Sequence, residues 1–144
     1  MALLHNRILI AAVLALVVTQ LTKGVVSLVR EHRLNFRYIT GAGGMPSSHA
    51  AFVTALATAV GRIDSLDSAA FAIAVVLAAI VMYDAAGVRR AVSIQARILN
   101  HMMEDYFHKK GIQQEKLREL IGHTPIQVFV GAIIGLIIGM VITL

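Results

Sequence analysis

Residues 8–29 read ILIAAVLALVVTQLTKGVVSLV. A membrane-spanning helix needs about 20 predominantly apolar residues, and this run is long enough although Gln20 and Lys23 interrupt it. Those interruptions are ordered. Gln20, Lys23, Ser27 and Arg30 follow one another at helical spacing, which puts a polar stripe on one face of an otherwise greasy helix. Either Lys23 snorkels and Gln20 bonds a neighbouring helix, or the stripe belongs to a ligand site, the usual meaning of an intramembrane charge. His5 and Arg7 ahead of the apolar run imitate a signal peptide, but no small-x-small site is followed by a soluble domain, so the run reads as an uncleaved helix.

The composition agrees with a bilayer. The chain has 144 residues, 58% hydrophobic and 15% charged, against about 25% charged in soluble domains, and its mean hydropathy is +0.77. One domain, 1–144, fits this length, since no repeat, linker or low-complexity tail divides it. Thirteen Lys and Arg against eight Asp and Glu leave +5, mostly in two stretches between apolar runs. That is the pattern of loops on one side of a membrane rather than of a nucleic-acid binder. With no cysteine, a disulfide framework, a thiolate metal site and a cysteine nucleophile are excluded.

Working outward, the segment from Arg30 to Met45 ends in Gly41-Ala42-Gly43-Gly44, and a new helix is expected from Pro46 to about Val60. It is short for a span and Ala-rich, so it is read as tilted, buried or re-entrant. Ser68 to Val88 is a clearer span. Arg89 to His108 is amphipathic, with Val92, Ala96, Leu99, Met103 and Tyr106 opposite Arg90, Ser93, Arg97, Asn100, His101 and Glu104, and is placed at the interface or as a cap on the bundle. The last run, to Leu144, starts at Thr124-Pro125, with Thr124 as cap. Gly131, Gly135 and Gly139 line one of its faces and admit a close neighbour, either another helix of this chain or a second copy in a homodimer. The expected fold is an all-α polytopic transmembrane bundle of about four membrane-embedded helices plus one amphipathic interfacial helix. If each apolar segment crosses, Arg30, Arg33, Arg37, Arg89, Arg90, Arg97, Lys109, Lys110, Lys116 and Arg118 share one side, which the positive-inside rule makes cytoplasmic. The protein is then an integral component of a plasma or inner membrane.

Four clusters could carry chemistry. Lys23 and its stripe are the first. In Gly43-Gly44-Met45-Pro46-Ser47-Ser48-His49, a helix start with two hydroxyls makes an anion site and His49 a proton donor, or else the serines only cap the helix. In Tyr83-Asp84-Ala85-Ala86-Gly87-Val88-Arg89-Arg90, Asp84 can hold one arginine while the other forks onto phosphate, or the group is an interfacial ion pair. In Gly122-His123-Thr124-Pro125-Ile126-Gln127, His123 precedes a helix whose positive end favours phosphate and Gln127 lies one turn on. All four fall on the same expected side. His5, His32, His101 and His108 read as flanking or solvated, and no metal-ligand spacing appears.

Pro46-Ser47-Ser48-His49, the Tyr83–Arg90 segment and Gly122-His123-Thr124-Pro125 resemble the divergent branch of the type-2 phosphatidic acid phosphatases, relatives of the vanadium haloperoxidases, over nearly the whole chain. The parent motifs are K-x6-R-P, P-S-G-H and S-R-x5-H-x3-D. Lys23 and Arg30 keep the first spacing with Glu31 in place of proline, Ser48 replaces glycine in the second, and His123 matches the third histidine. Arg118 lies one residue too close to His123, so the third-motif arginine is assigned to Arg89 or Arg90, and Gln127 stands where the parent has its orienting acid. An amide orients an imidazole but lends it no charge, a role open to Asp84 or Glu119.

The resemblance implies a metal-independent, cofactor-free phosphatase acting on a phosphorylated membrane lipid, either a phosphate or a diphosphate. His123 is then the nucleophile and His49 the acid, with Lys23, Arg30, Arg37, Ser47, Ser48, Arg89 and Arg90 around the phosphate. The competing expectation is a catalytically silent protein that binds anionic phospholipid or serves as a scaffold subunit. A small transporter is weaker, because no inverted repeat or broken-helix pair is visible.

Overall fold

The computed structural model describes residues 5–31, 44–108 and 122–144. Among them the chain is helical: α1 Arg7–Glu31, α2 Ser48–Ile63, α3 Ala69–Tyr83, a π-helical turn Asp84–Val88, α4 Arg89–His108 and α5 Pro125–Ile142. Arg7–Val29, Pro125–Ile142 and the continuous helical run Ala69–Glu104 are each long and apolar enough to cross a membrane. Their outer surfaces are greasy: Leu21, Val25, Val29, Ile73, Ile80, Ile126 and Phe129 are all exposed. That is the arrangement a bilayer imposes, with apolar side chains outward and polar groups within.

The helix at the centre is the short one. α2 packs against α1, α3 and α5, and α1 also meets α5. Its buried face is made of small residues, with Ser48, Ala50, Ala51, Ala55, Ala57, Ala59 and Gly61 shielded beside Val53 and Val60, so its neighbours come close without a large side chain between them. The glycine stripe of α5 is the complement. A Cβ on Gly131 would collide with the Ser47 carbonyl, one on Gly135 with the Ala51 backbone, and one on Gly139 would lie 2.7 Å from Thr58 Cβ. In lipid, where no hydrophobic force draws helices together, such backbone approach is a main source of packing energy. Of the two partners open to the stripe, the one that occupies it is α2 of the same chain.

Contacts at the two ends fix the topology. At one end Ser47 N–H donates to the Gln127 carbonyl (3.0 Å) and His123 N–H to the Ala85 carbonyl (3.2 Å), which joins the start of α2, the start of α5 and the π turn after α3. At the other end the Arg7 guanidinium donates to the Ile142 carbonyl (3.1 and 2.8 Å) and Arg62 Nε to Thr143 Oγ1 (2.8 Å). α2 therefore runs alongside α5 from one end to the other, about 24 Å at 1.5 Å per residue. Its start also corrects the expectation from sequence. Pro46 lies outside the helix, because Ser47 is the N-cap and its hydroxyl accepts the Ala50 N–H (3.4 Å). α4 has the expected limits, but it leaves α3 through the π turn without a loop.

Candidate active site

Three helix starts or faces converge at the Ser47 end of the bundle. On α1 the buried polar residues are Thr19, Lys23 and Ser27, one per turn on the face toward α2. Thr19 is locally satisfied, since its hydroxyl donates to the Ala15 carbonyl at 2.7 Å. Lys23 is fully shielded (0% exposed), and its Nζ donates to Ser48 Oγ at 3.2 Å. The snorkelling alternative is thereby removed: the ammonium points into the bundle. Ser47 and Ser48 are also buried. Because the Ser47 N–H already donates to Gln127, it is not a donor for phosphate, contrary to the sequence expectation; Ser48 is the residue of this pair that faces the lysine.

His123 is 1% exposed and sits directly before α5, held by its own N–H on Ala85. Its Nδ1 is 3.4 Å from Gln127 Oε1. The identity of that amide atom follows from the helix cap. Thr124 and Gln127 form a capping box in which Gln127 Oε1 accepts the Thr124 N–H (3.0 Å) and Thr124 Oγ1 accepts the Gln127 N–H (3.4 Å). An oxygen that accepts from Thr124 also requires a donor on His123, so the proton is on Nδ1 and the lone pair on Nε2. Nε2 is buried and makes no hydrogen bond among the described residues. The His49 ring lies edge-on to it, with centroids 6.3 Å apart at 61°.

The electrostatics keep His123 neutral. Burial, the Lys23 charge and, more weakly, His49 press its pKa down from 6.5 to about 4, against the opposing effects of Gln127 and the Gly44 backbone. A neutral imidazole with a bare nitrogen beside a buried ammonium is suited to attack an electrophile that brings negative charge, such as a phosphoryl group.

Lys23, Ser47, Ser48, His49, His123 and Gln127 are thus brought together. Asp84 heads the π turn one residue before the carbonyl that holds His123. Arg30 and Arg89 are helical, Arg90 is exposed, and Arg37 and Glu119 lie outside the described residues. Sequence reasoning missed two backbone contributors. Gly44, with φ of 89°, is buried beside the site, and its signal was its place in the Gly41–Gly44 cluster. The Ala85 carbonyl had no signal.

The family model described as the divergent PAP2 family matches residues 4–138. A similar protein is "Uncharacterized membrane protein YuiD" of Bacillus subtilis (strain 168), 38% identical over 99% of this chain and 97% of its own length. No solved structure gives a significant match. With nearly all of its length matched, the chain belongs to the divergent PAP2 family of membrane proteins.

Proposed function

We propose that the protein is an integral membrane phosphatase that releases phosphate from a lipid phosphate or diphosphate through a phosphohistidine. The observation that carries this reading is the buried His123, with Nδ1 held by an amide oxygen and Nε2 bare. In the first step the Nε2 lone pair attacks phosphorus, the bond from phosphorus to the lipid oxygen breaks, and His49 gives that oxygen a proton. In the second, His49 takes a proton from water, the water oxygen attacks phosphorus, and the P–N bond breaks to return neutral His123 and inorganic phosphate. Lys23 and Ser48 face the phosphoryl oxygens, and Arg30, Arg37, Arg89 and Arg90 are the further cations assigned to it. The basic segments flanking this end favour a cytoplasmic position for it.

Rapid quenching with a lipid phosphate, followed by mapping of the modified residue, tests the intermediate. Acid-labile phosphate on His123 is the expected result; turnover without phosphate on that residue contradicts it. Gln127 favours one other reading, a silent binder of anionic phospholipid, since an amide carries no charge to balance an imidazolium. The two separate in His123→Asn, which keeps lipid binding in both cases but has turnover to lose only in the enzyme.

A further inference from the structure

On the flank of the site, α1 and α5 leave a groove of about 350 Å³ lined by Thr22, Val26, Val29, Pro46, Val130 and Ile134, among others, within the range of small-molecule sites at roughly 300–1,000 Å³. Among the described residues that line it none is charged, and Thr22, their one hydroxyl, already donates to the Val18 carbonyl at 2.8 Å, so they offer a polar occupant little to bond. Water in such a place has too few partners to be held. Its floor and roof belong to the site as well. Pro46 lines the groove while the next residue, Ser47, is bonded to Gln127, and Thr22 adjoins Lys23. Val130 and Ile134 each precede a glycine, Gly131 and Gly135, that packs on α2.

Resting on the phosphatase reading above, we infer that this groove holds the hydrocarbon chain of the substrate, entering sideways from the bilayer between α1 and α5 while the phosphate reaches His123. The two lie side by side: an apolar slot between α1 and α5, whose Pro46 and Thr22 adjoin Ser47 and the buried Lys23, matches a molecule whose polar end is an anion and whose other end is a chain. Specificity then resides in chain length, read by Val26 and Ile134 and not by the phosphate pocket.

The experiment uses the full-length protein in nanodiscs, wild type and the variants Ile134→Phe and Val26→Phe, with hexadecyl phosphate and butyl phosphate. Filling the groove should lower kcat/KM for the long substrate and leave that for butyl phosphate unchanged. Equal losses on both substrates overturn the inference. A second arm does not depend on turnover: a hexadecyl phosphate carrying a photoreactive group on its chain should crosslink to α1 and α5 at the groove, and the corresponding alcohol should not. Equal labelling by the alcohol means that the slot holds bulk lipid and overturns the inference. Phosphate-dependent labelling without phosphate release upholds the groove and refutes the phosphatase.

Discussion

At His123 one ring nitrogen is held and the other has no hydrogen bond among the described residues, and the residue that holds the first is the amide Gln127. The consequence is legible in pH. An imidazole held near a pKa of about 4 by burial and by Lys23 stays neutral at ordinary pH, so if it is the nucleophile proposed above, the acidic limb of kcat/KM due to this group should lie near 4 and not 6.5. Removing the ammonium in Lys23→Met relieves part of that pressure, and NMR titration of the imidazole should show the His123 pKa rising toward 6.5; an unchanged or lower value contradicts the assignment. The same shift governs stability. Since the folded value lies below the unfolded one, the stabilisation from the neutral ring is complete above about 6.5 and is lost as pH falls toward 4. Melting temperature should decline through that window in the wild type and more shallowly in His123→Asn.

At the scale of elements, α5 carries two devices that can be tested apart. Its glycines are contact points: Gly135→Ala drives a methyl into the Ala51 backbone and should cost about 1–3 kcal/mol of stability, as overpacking generally does. Gly87 in the π turn has open space where its Cβ would go, so Gly87→Ala should be neutral or stabilise by up to about 1 kcal/mol. A similar loss in both variants, measured by denaturation in mixed micelles, would refute the packing argument. The capping box is the second device. Thr124→Val removes the hydroxyl partner of Gln127, with an expected cost of about 1 kcal/mol and a fall in kcat that Thr124→Ser restores. The Thr124-Pro125 start and the glycine stripe were legible in the sequence because capping and small-residue spacing are local rules. The central place of α2 was not, because its length falls below what a span needs and the packing of its alanines on the glycines of α5 is a tertiary contact. The link from α3 to α4 through a π turn was also hidden, since Asp84–Val88 carries no breaker beyond Gly87.

For the whole molecule, the two ends differ in charge and in role. The polar pocket lies where α1 ends and α2 and α5 begin, and the far end is closed by Arg7 and Arg62 on the last residues of α5. The chain has no cysteine, so single cysteines at the exposed positions Asp64 and Arg90 report sidedness cleanly. An impermeant thiol reagent on intact cells should label Asp64→Cys and should reach Arg90→Cys only after permeabilisation; the reverse pattern inverts the proposed orientation. The sequence placed the candidate residues on one side by charge counting, and Lys23, Ser48, His49 and His123 do meet. Charge counting says nothing of where each arginine side chain lies, because long side chains at helix ends are placed by tertiary neighbours and not by spacing.

Whether these residues hydrolyse a phosphorylated lipid is decided by inorganic phosphate release by the purified full-length protein from phosphatidate, phosphatidylglycerol phosphate and a polyprenyl diphosphate, with His49→Ala and His123→Ala alongside. Release from at least one of the three is expected, abolished by either substitution in protein that remains folded. Folded wild-type protein that binds these lipids and releases no phosphate, or release that survives His123→Ala, contradicts the phosphatase reading.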